Sequence, residues 1–230
     1  MNSLNICNQD LVYHVSPLHY LVFILRSKQL LSKTELLKMG YSEKHFRSTS
    51  GRTDIKRGFS EYVHCSNKGH APILKSKLSL GYPHVEYVFS SSILSEESYL
   101  LCRYNIAKNR GLFQQSLTNG YCYNGFKIPV AKSSIEKQSL LRQYGEDHIE
   151  ILVRDSVPLP DDTVVRVFRE DDLKLVHELL NKFSLRWKIV LKSPKTEYIV
   201  KDSRVKEVSN FLERSAEEPT WFGSGLEYDR

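Results

Sequence analysis

Cysteine is scarce in this chain of 230 residues: Cys7, Cys65, Cys102 and Cys122 are the only four, and no CxxC pair occurs among them. Spacing of that kind fits neither a disulfide framework nor a zinc ribbon, so the cysteines read as reduced, mostly buried small hydrophobes. Long apolar runs are also missing. The most apolar stretch, Leu18 to Leu25, stops at Arg26, far short of the roughly 20 residues that span a bilayer. The first residues, Met1 to Cys7, carry neither a basic region nor an apolar core, and the reading is a cytoplasmic protein with no membrane partner. No P-loop, dinucleotide glycine fingerprint, HExxH box, internal repeat or low-complexity tract is present. Any chemistry must therefore come from dispersed residues, and no metal is implied.

What remains is an ordinary globular composition, 40% hydrophobic and 26% charged, with 33 Lys+Arg against 27 Asp+Glu for a formal charge of +6. A chain of this size buries about 70% of its unfolded surface and is expected to form one domain. The pI of about 9.0 leans towards a polyanionic partner. Ser16-Pro17 reads as an N-cap with proline at the first helical position, and Leu18, Leu21, Val22 and Leu25 then predict a helix over residues 17 to 31. Ser32 and Glu35 have capping-box spacing for a second short helix, and residues 40 to 58 read as a polar loop. Strands are expected at 61–65, 85–89, 97–107, 149–154 and 163–168, with a turn at 67–72. An amphipathic helix over 170–183 and a closing strand pair at 187–191 and 197–200 follow. The order predicts an α+β fold with a largely antiparallel sheet.

Three places could carry chemistry. Glu150 interrupts the apolar run Ile149-Glu150-Ile151-Leu152-Val153: it either lies on a solvated strand face, the ordinary reading, or sits partly buried at a cleft with Asp147 and His148 nearby. In Tyr13-His14-Val15-Ser16, strand alternation puts His14 and Ser16 on one side, a cradle for ribose hydroxyls or a carboxamide, whereas the plain reading is a core histidine and a helix cap. Arg47, Arg52, Lys56 and Arg57, with Lys68, Lys75 and Lys77 further on, interleave with Phe46, Phe59 and Tyr62. Such a stretch can pair phosphates and stack bases, or be a solvated charged loop.

Taken in order, Tyr13-His14-Val15-Ser16 with its following helix, Glu61-Tyr62-Val63 followed by Pro72-Ile73-Leu74, and Asp147-His148-Ile149-Glu150-Ile151-Leu152-Val153 resemble the DarT-like nucleic-acid ADP-ribosyltransferases. The resemblance spans roughly residues 11 to 180. It implies an ADP-ribosyltransferase-like fold, a mostly antiparallel split sheet flanked by helices, as a single domain over 1–230 with its core at about 11–190. Residues 191–230 form an extension of unassigned role that completes the sheet or docks a partner through Trp221 and Phe222.

The resemblance also implies NAD as co-substrate and a base of single-stranded DNA or RNA as acceptor. It implies a toxin or phage-defence effector with an antitoxin partner. Glu150 matches the family's catalytic glutamate, and His14 and Ser16 match its NAD-binding His-x-Thr/Ser. Arg52, with Arg57 as alternate, fills the place of the catalytic arginine. Tyr20, where the family often has asparagine, and Tyr62 join the NAD site, while Arg47, Lys56, Lys68, His70 and Lys75 face the nucleic acid. His70-Ala71 replaces the family's usual Arg-Ser. A protein side chain as acceptor, or a non-catalytic nucleic-acid-binding module, are the alternatives.

Overall fold

Residues Leu11–Pro17 (β1) carry Val12, Tyr13 and Val15, side chains that suit a pleated, half-buried surface. They pair antiparallel along their whole length with His84–Ser90 (β4), from Leu11 opposite Ser90 to Pro17 opposite His84. The computed structural model of the chain describes residues 11–41, 59–69, 81–95, 98–102, 121–124, 126–131, 133–144, 148–193 and 200–217.

This ladder corrects the reading of Ser16-Pro17 as a helix start. Ser16 lies within β1, and Pro17 is extended at φ −57° and ψ 143°. A 3₁₀ turn, Leu18–Tyr20, leads into α1 (Leu21–Ser27), and neither has a side-chain cap. Pairing with a strand about seventy residues downstream satisfies the backbone groups here and outweighs a local capping preference. The helix also ends earlier than its apolar spacing suggested. Lys28 takes a left-handed φ of 55°, and Gln29–Leu31 (β2) leaves to pair with Ser156–Pro158 (β9). The capping at Ser32 is as expected: its hydroxyl accepts the Glu35 N–H at 3.2 Å and starts α2 (Lys33–Lys38).

Further strands are Tyr62–Ser66 (β3), Tyr99–Cys102 (β5), Tyr121–Asn124 (β6) and Phe126–Ala131 (β7). Helix α3 (Ser134–Tyr144) precedes Glu150–Arg154 (β8) and Val164–Val167 (β10). Helix α4 (Glu170–Lys182), strand β11 (Lys188–Leu191) and helix α5 (Asp202–Glu217) complete the described chain. Nine strands form one sheet in the order β11-β10-β4-β1-β3-β8-β5-β7-β6. Every described pairing is antiparallel except β10 with β11. The expected partner of β11 at 197–200 falls mostly outside the described residues.

One hydrophobic core joins Leu21 to Leu25 of α1, Val85 and Tyr87 of β4, Ile151 and Val153 of β8, Val176 and Leu179 of α4 and Val208 and Leu212 of α5. Among the described residues, the C-terminal segment joins the core through helix α5. Phe211 of α5 sits 6.3 Å from the Phe23 ring, and the Arg26 guanidinium donates to the Ser215 carbonyl. Trp221 and Phe222 lie outside the described residues. Among those residues, no helix is long and apolar enough to cross a membrane.

Asp172, in the first turn of α4, is only 1% exposed, and burial pushes its carboxyl up to about 6 against the lowering effect of Arg169. The folded chain therefore holds this proton more tightly than the unfolded chain. The ionised carboxylate weakens the fold above about pH 6, and that penalty fades as the pH falls towards about 4. Asp172→Asn should raise stability at neutral pH by about 1–2 kcal/mol and give no gain near pH 4, read by urea unfolding at both pH values.

Candidate active site

The sheet opens between β1 and β3. Whereas β1 and β4 keep register over seven pairs and β3 and β8 over five, β1 and β3 share the single pair Tyr13 with Ser66. Beyond that pair the ladder stops, and the backbone carbonyl of His64 is bonded by a side chain: the His14 imidazole reaches it at 2.9 Å through Nδ1. Because a carbonyl only accepts, Nδ1 of His14 carries the proton. The ring stands in the split where a strand-to-strand hydrogen bond would otherwise be.

On the other side of β3, Ser66 pairs directly with Glu150 of β8. Glu150 is 3% exposed, so the solvated-face reading of its pattern is overturned. Its Oε1 lies 3.0 Å from His64 Nδ1, and His64 Nε2 lies 3.3 Å from the Phe59 carbonyl. A buried carboxylate needs such a partner, because an unpaired charge in this position would cost far more than an exposed one. His64 thus connects the two predicted residues, bonding Glu150 through its ring and His14 through its carbonyl.

The turn after β3 fixes the approach to Glu150. Asn67 receives the Ile149 N–H on its Oδ1 at 2.9 Å and returns its own N–H to the Ile149 carbonyl at 3.2 Å. Ser66 Oγ accepts the Lys68 N–H at 3.1 Å and lies 3.5 Å from His148 Nδ1. Behind β3, Cys65 is buried; burial, and then the charge of Glu150, push its thiol up and leave it an inert packing group.

Further along β1, Ser16 and Tyr87 are buried, and neither hydroxyl meets a full hydrogen-bond partner among the described residues. Burial pushes the Tyr87 phenol up, tempered by the Ser16 hydroxyl nearby. The Tyr87 ring lies 6.3 Å from that of His14, directly across the β1–β4 ladder. Tyr87→Phe should leave stability unchanged or raise it by about 1 kcal/mol, since it removes a buried hydroxyl with no full hydrogen bond among the described residues. Thermal melting with and without NAD checks this, and a melting gain from NAD that shrinks in the variant would assign the hydroxyl to the ligand.

Of the other expected site residues, Tyr62 lies on β3 with its ring 5.9 Å from Phe59. Tyr20 packs edge-on against His19 at 4.7 Å and Tyr41 at 4.9 Å, in an aromatic cluster one turn beyond β1. Lys68 is exposed in the turn after β3. Arg47, Arg52, Lys56, Arg57, His70 and Lys75 lie outside the described residues. The expectations drawn from the sequence omitted His64 and Tyr87. A histidine between Val63 and Cys65 in an otherwise apolar strand was the available signal for the first; nothing local marked the second.

This mixed fold, a mostly antiparallel sheet split between β1 and β3 with helices around it, matches solved structures of DarT. Thermus sp. 2.9 DarT in complex with ADP-ribosylated ssDNA aligns at a TM-score of 0.55 and 14% identity, over 80% of this chain and 94% of that one. The same protein in complex with carba-NAD+ aligns at 0.50 and 14% identity, over 80% and 95%. Thermosipho africanus DarTG in complex with ADP-ribose aligns at 0.52 and 11% identity, over 79% of this chain and 49% of that one. No protein-family model and no curated protein matches the sequence. The shared property is the fold, in agreement with the resemblance drawn from the sequence.

Proposed function

We propose that this chain is an NAD-dependent ADP-ribosyltransferase that modifies a base in single-stranded nucleic acid, acting in the cytoplasm as a toxin or phage-defence effector restrained by an antitoxin. The observation that carries this reading is Glu150: a buried carboxylate, bonded to His64, at the point where the sheet splits and His14 spans the gap. In support, the DarT structures of the same fold are complexes with carba-NAD+ and with ADP-ribosylated ssDNA, and a DarTG structure holds ADP-ribose.

In this reading the bond between the nicotinamide nitrogen and the ribose C1′ breaks, and nicotinamide leaves with the electron pair. The positive charge that develops on the ribose is stabilised by the Glu150 carboxylate. A base nitrogen supplies the lone pair for the new bond to C1′, and Glu150 accepts the proton that this nitrogen gives up. His14 and Ser16 orient the nicotinamide ribose, with Tyr62 and Tyr20 beside them. Arg52, with Arg57 as its alternate, supplies a planar cation for the pyrophosphate or the acceptor base. Arg47, Lys56, Lys68, His70 and Lys75 guide the strand, whose target base must be unstacked before it can react.

The test is incubation with NAD labelled in its adenylate phosphate and, separately, single-stranded DNA, single-stranded RNA and a protein extract, with Glu150→Ala alongside. Label on one nucleic acid that vanishes in the variant supports the proposal and names the acceptor. Label on protein instead moves the acceptor to a side chain, and intact NAD with every acceptor contradicts the proposal.

A further inference from the structure

We propose that His64 is a positioning residue for Glu150: a doubly protonated imidazole that bonds the carboxylate and holds it aimed, so that activity depends on a proton stored on β3. The proposal rests on the function proposed above. Both ring nitrogens of His64 face atoms that accept hydrogen bonds, the Phe59 carbonyl at 3.3 Å from Nε2 and Glu150 Oε1 at 3.0 Å from Nδ1. The carbonyl cannot donate, so Nε2 carries a hydrogen. A neutral ring of that tautomer would turn a bare Nδ1 lone pair against the carboxylate. A second hydrogen on Nδ1 removes the clash and makes the contact a charge-assisted bond. Imidazolium and carboxylate then offset one another, which is what burying Glu150 requires.

The groups around His64 are consistent with this charge. From β8, Glu150 faces it, and from β1 the His14 N–H reaches its carbonyl. From the segment before β3, the Phe59 ring stands 6.4 Å away, edge to face, beside the carbonyl that caps Nε2. On β3 itself the neighbours are Tyr62, the thiol of Cys65 and Ser66, beyond which lies His148. Among the described residues, Glu150 is the carboxylate bonded to the ring. When rising pH removes the Nδ1 proton, Glu150 loses this donor, its rotamer is held less firmly, and the rate of transfer falls.

His64→Asn places an amide N–H near the Nδ1 position, a donor that does not titrate, while His64→Ala removes the donor. The wild-type rate should fall on the alkaline side of its pH profile. His64→Ala should lower kcat by about ten- to a hundredfold with the KM for NAD little changed, and His64→Asn should recover a large part of that loss and abolish the alkaline fall. Nitrogen-15 spectra of the imidazoles in the full chain provide a readout independent of turnover. Both nitrogens of His64 should be protonated at neutral pH in the wild type, with the titration midpoint lowered in Glu150→Ala. A neutral His64 in the wild-type spectrum, or an alkaline fall unchanged in His64→Asn, overturns the proposal. Transfer with a neutral His64 would leave the enzyme reading standing and sink this one. A protonated His64 in a chain that transfers to no acceptor would sink the enzyme reading and, with it, the positioning role, leaving only the charged pair.

Discussion

Glu150→Gln should lower the rate of nicotinamide release from NAD by about a thousandfold, with the affinity for NAD changed only a few-fold. In the proposed reaction the Glu150 charge acts on NAD as the ribose becomes cationic, so its loss falls on kcat. Glutamine keeps the volume of the side chain in a place that is 3% exposed, and its amide can donate to the His64 Nδ1 once that ring is neutral. Stability should accordingly move by about 1 kcal/mol at most. Nicotinamide release followed by chromatography, with a thermal melt on the same preparation, separates the two effects. Turnover retained in a folded Glu150→Gln would make Glu150 a structural residue, and no turnover in the wild type would make the chain a binding module.

Phe23→Ala should cost about 3–5 kcal/mol, a large part of the roughly 5–15 kcal/mol that holds an ordinary domain together. Phe23 is 1% exposed, meets Tyr41 edge-on at 5.9 Å and lies 6.3 Å from Phe211. Its removal opens a cavity at the seam between α1 and α5, so both helices lose their packing together. Urea unfolding followed by far-ultraviolet circular dichroism should show one cooperative transition at a lower midpoint. An early, separate loss of helix would mean that α5 is an appendage and not part of the core.

The sequence made the periodic elements legible. Val85-Glu86-Tyr87-Val88-Phe89 lies within β4, Ile149 to Arg154 and Thr163 to Phe168 each contain a strand, and the apolar stripe from Leu173 to Leu180 marks α4 nearly to its last residue. Local signals failed where a distant partner decides. Ser16-Pro17 has the chemistry of a helix start, yet β4 claims it as the end of β1. Helix α5 carried its own signal in Val205, Val208, Phe211 and Leu212, at helical spacing, in a segment read only as an extension.

The site divides in the same way. His14, Ser16 and Glu150 could be singled out as residue types in context, but the burial of Glu150 could not, because its partner His64 lies 86 positions away. The split of the sheet at Tyr13 and Ser66 is likewise a property of long-range pairing, absent from any local pattern. The buried hydroxyls of Ser16 and Tyr87, without a full hydrogen bond among the described residues, come together only once β1 and β4 are in register.

The measurement that tests the central claim most directly is a titration of NAD into the chain carrying isotope-labelled histidine, with each imidazole followed separately. The opening between β1 and β3, as the dinucleotide site, predicts saturable shifts at His14 and His64 and none at His177, which is exposed on α4. Saturation with no change at His14 or His64, or a response confined to His177, would contradict it.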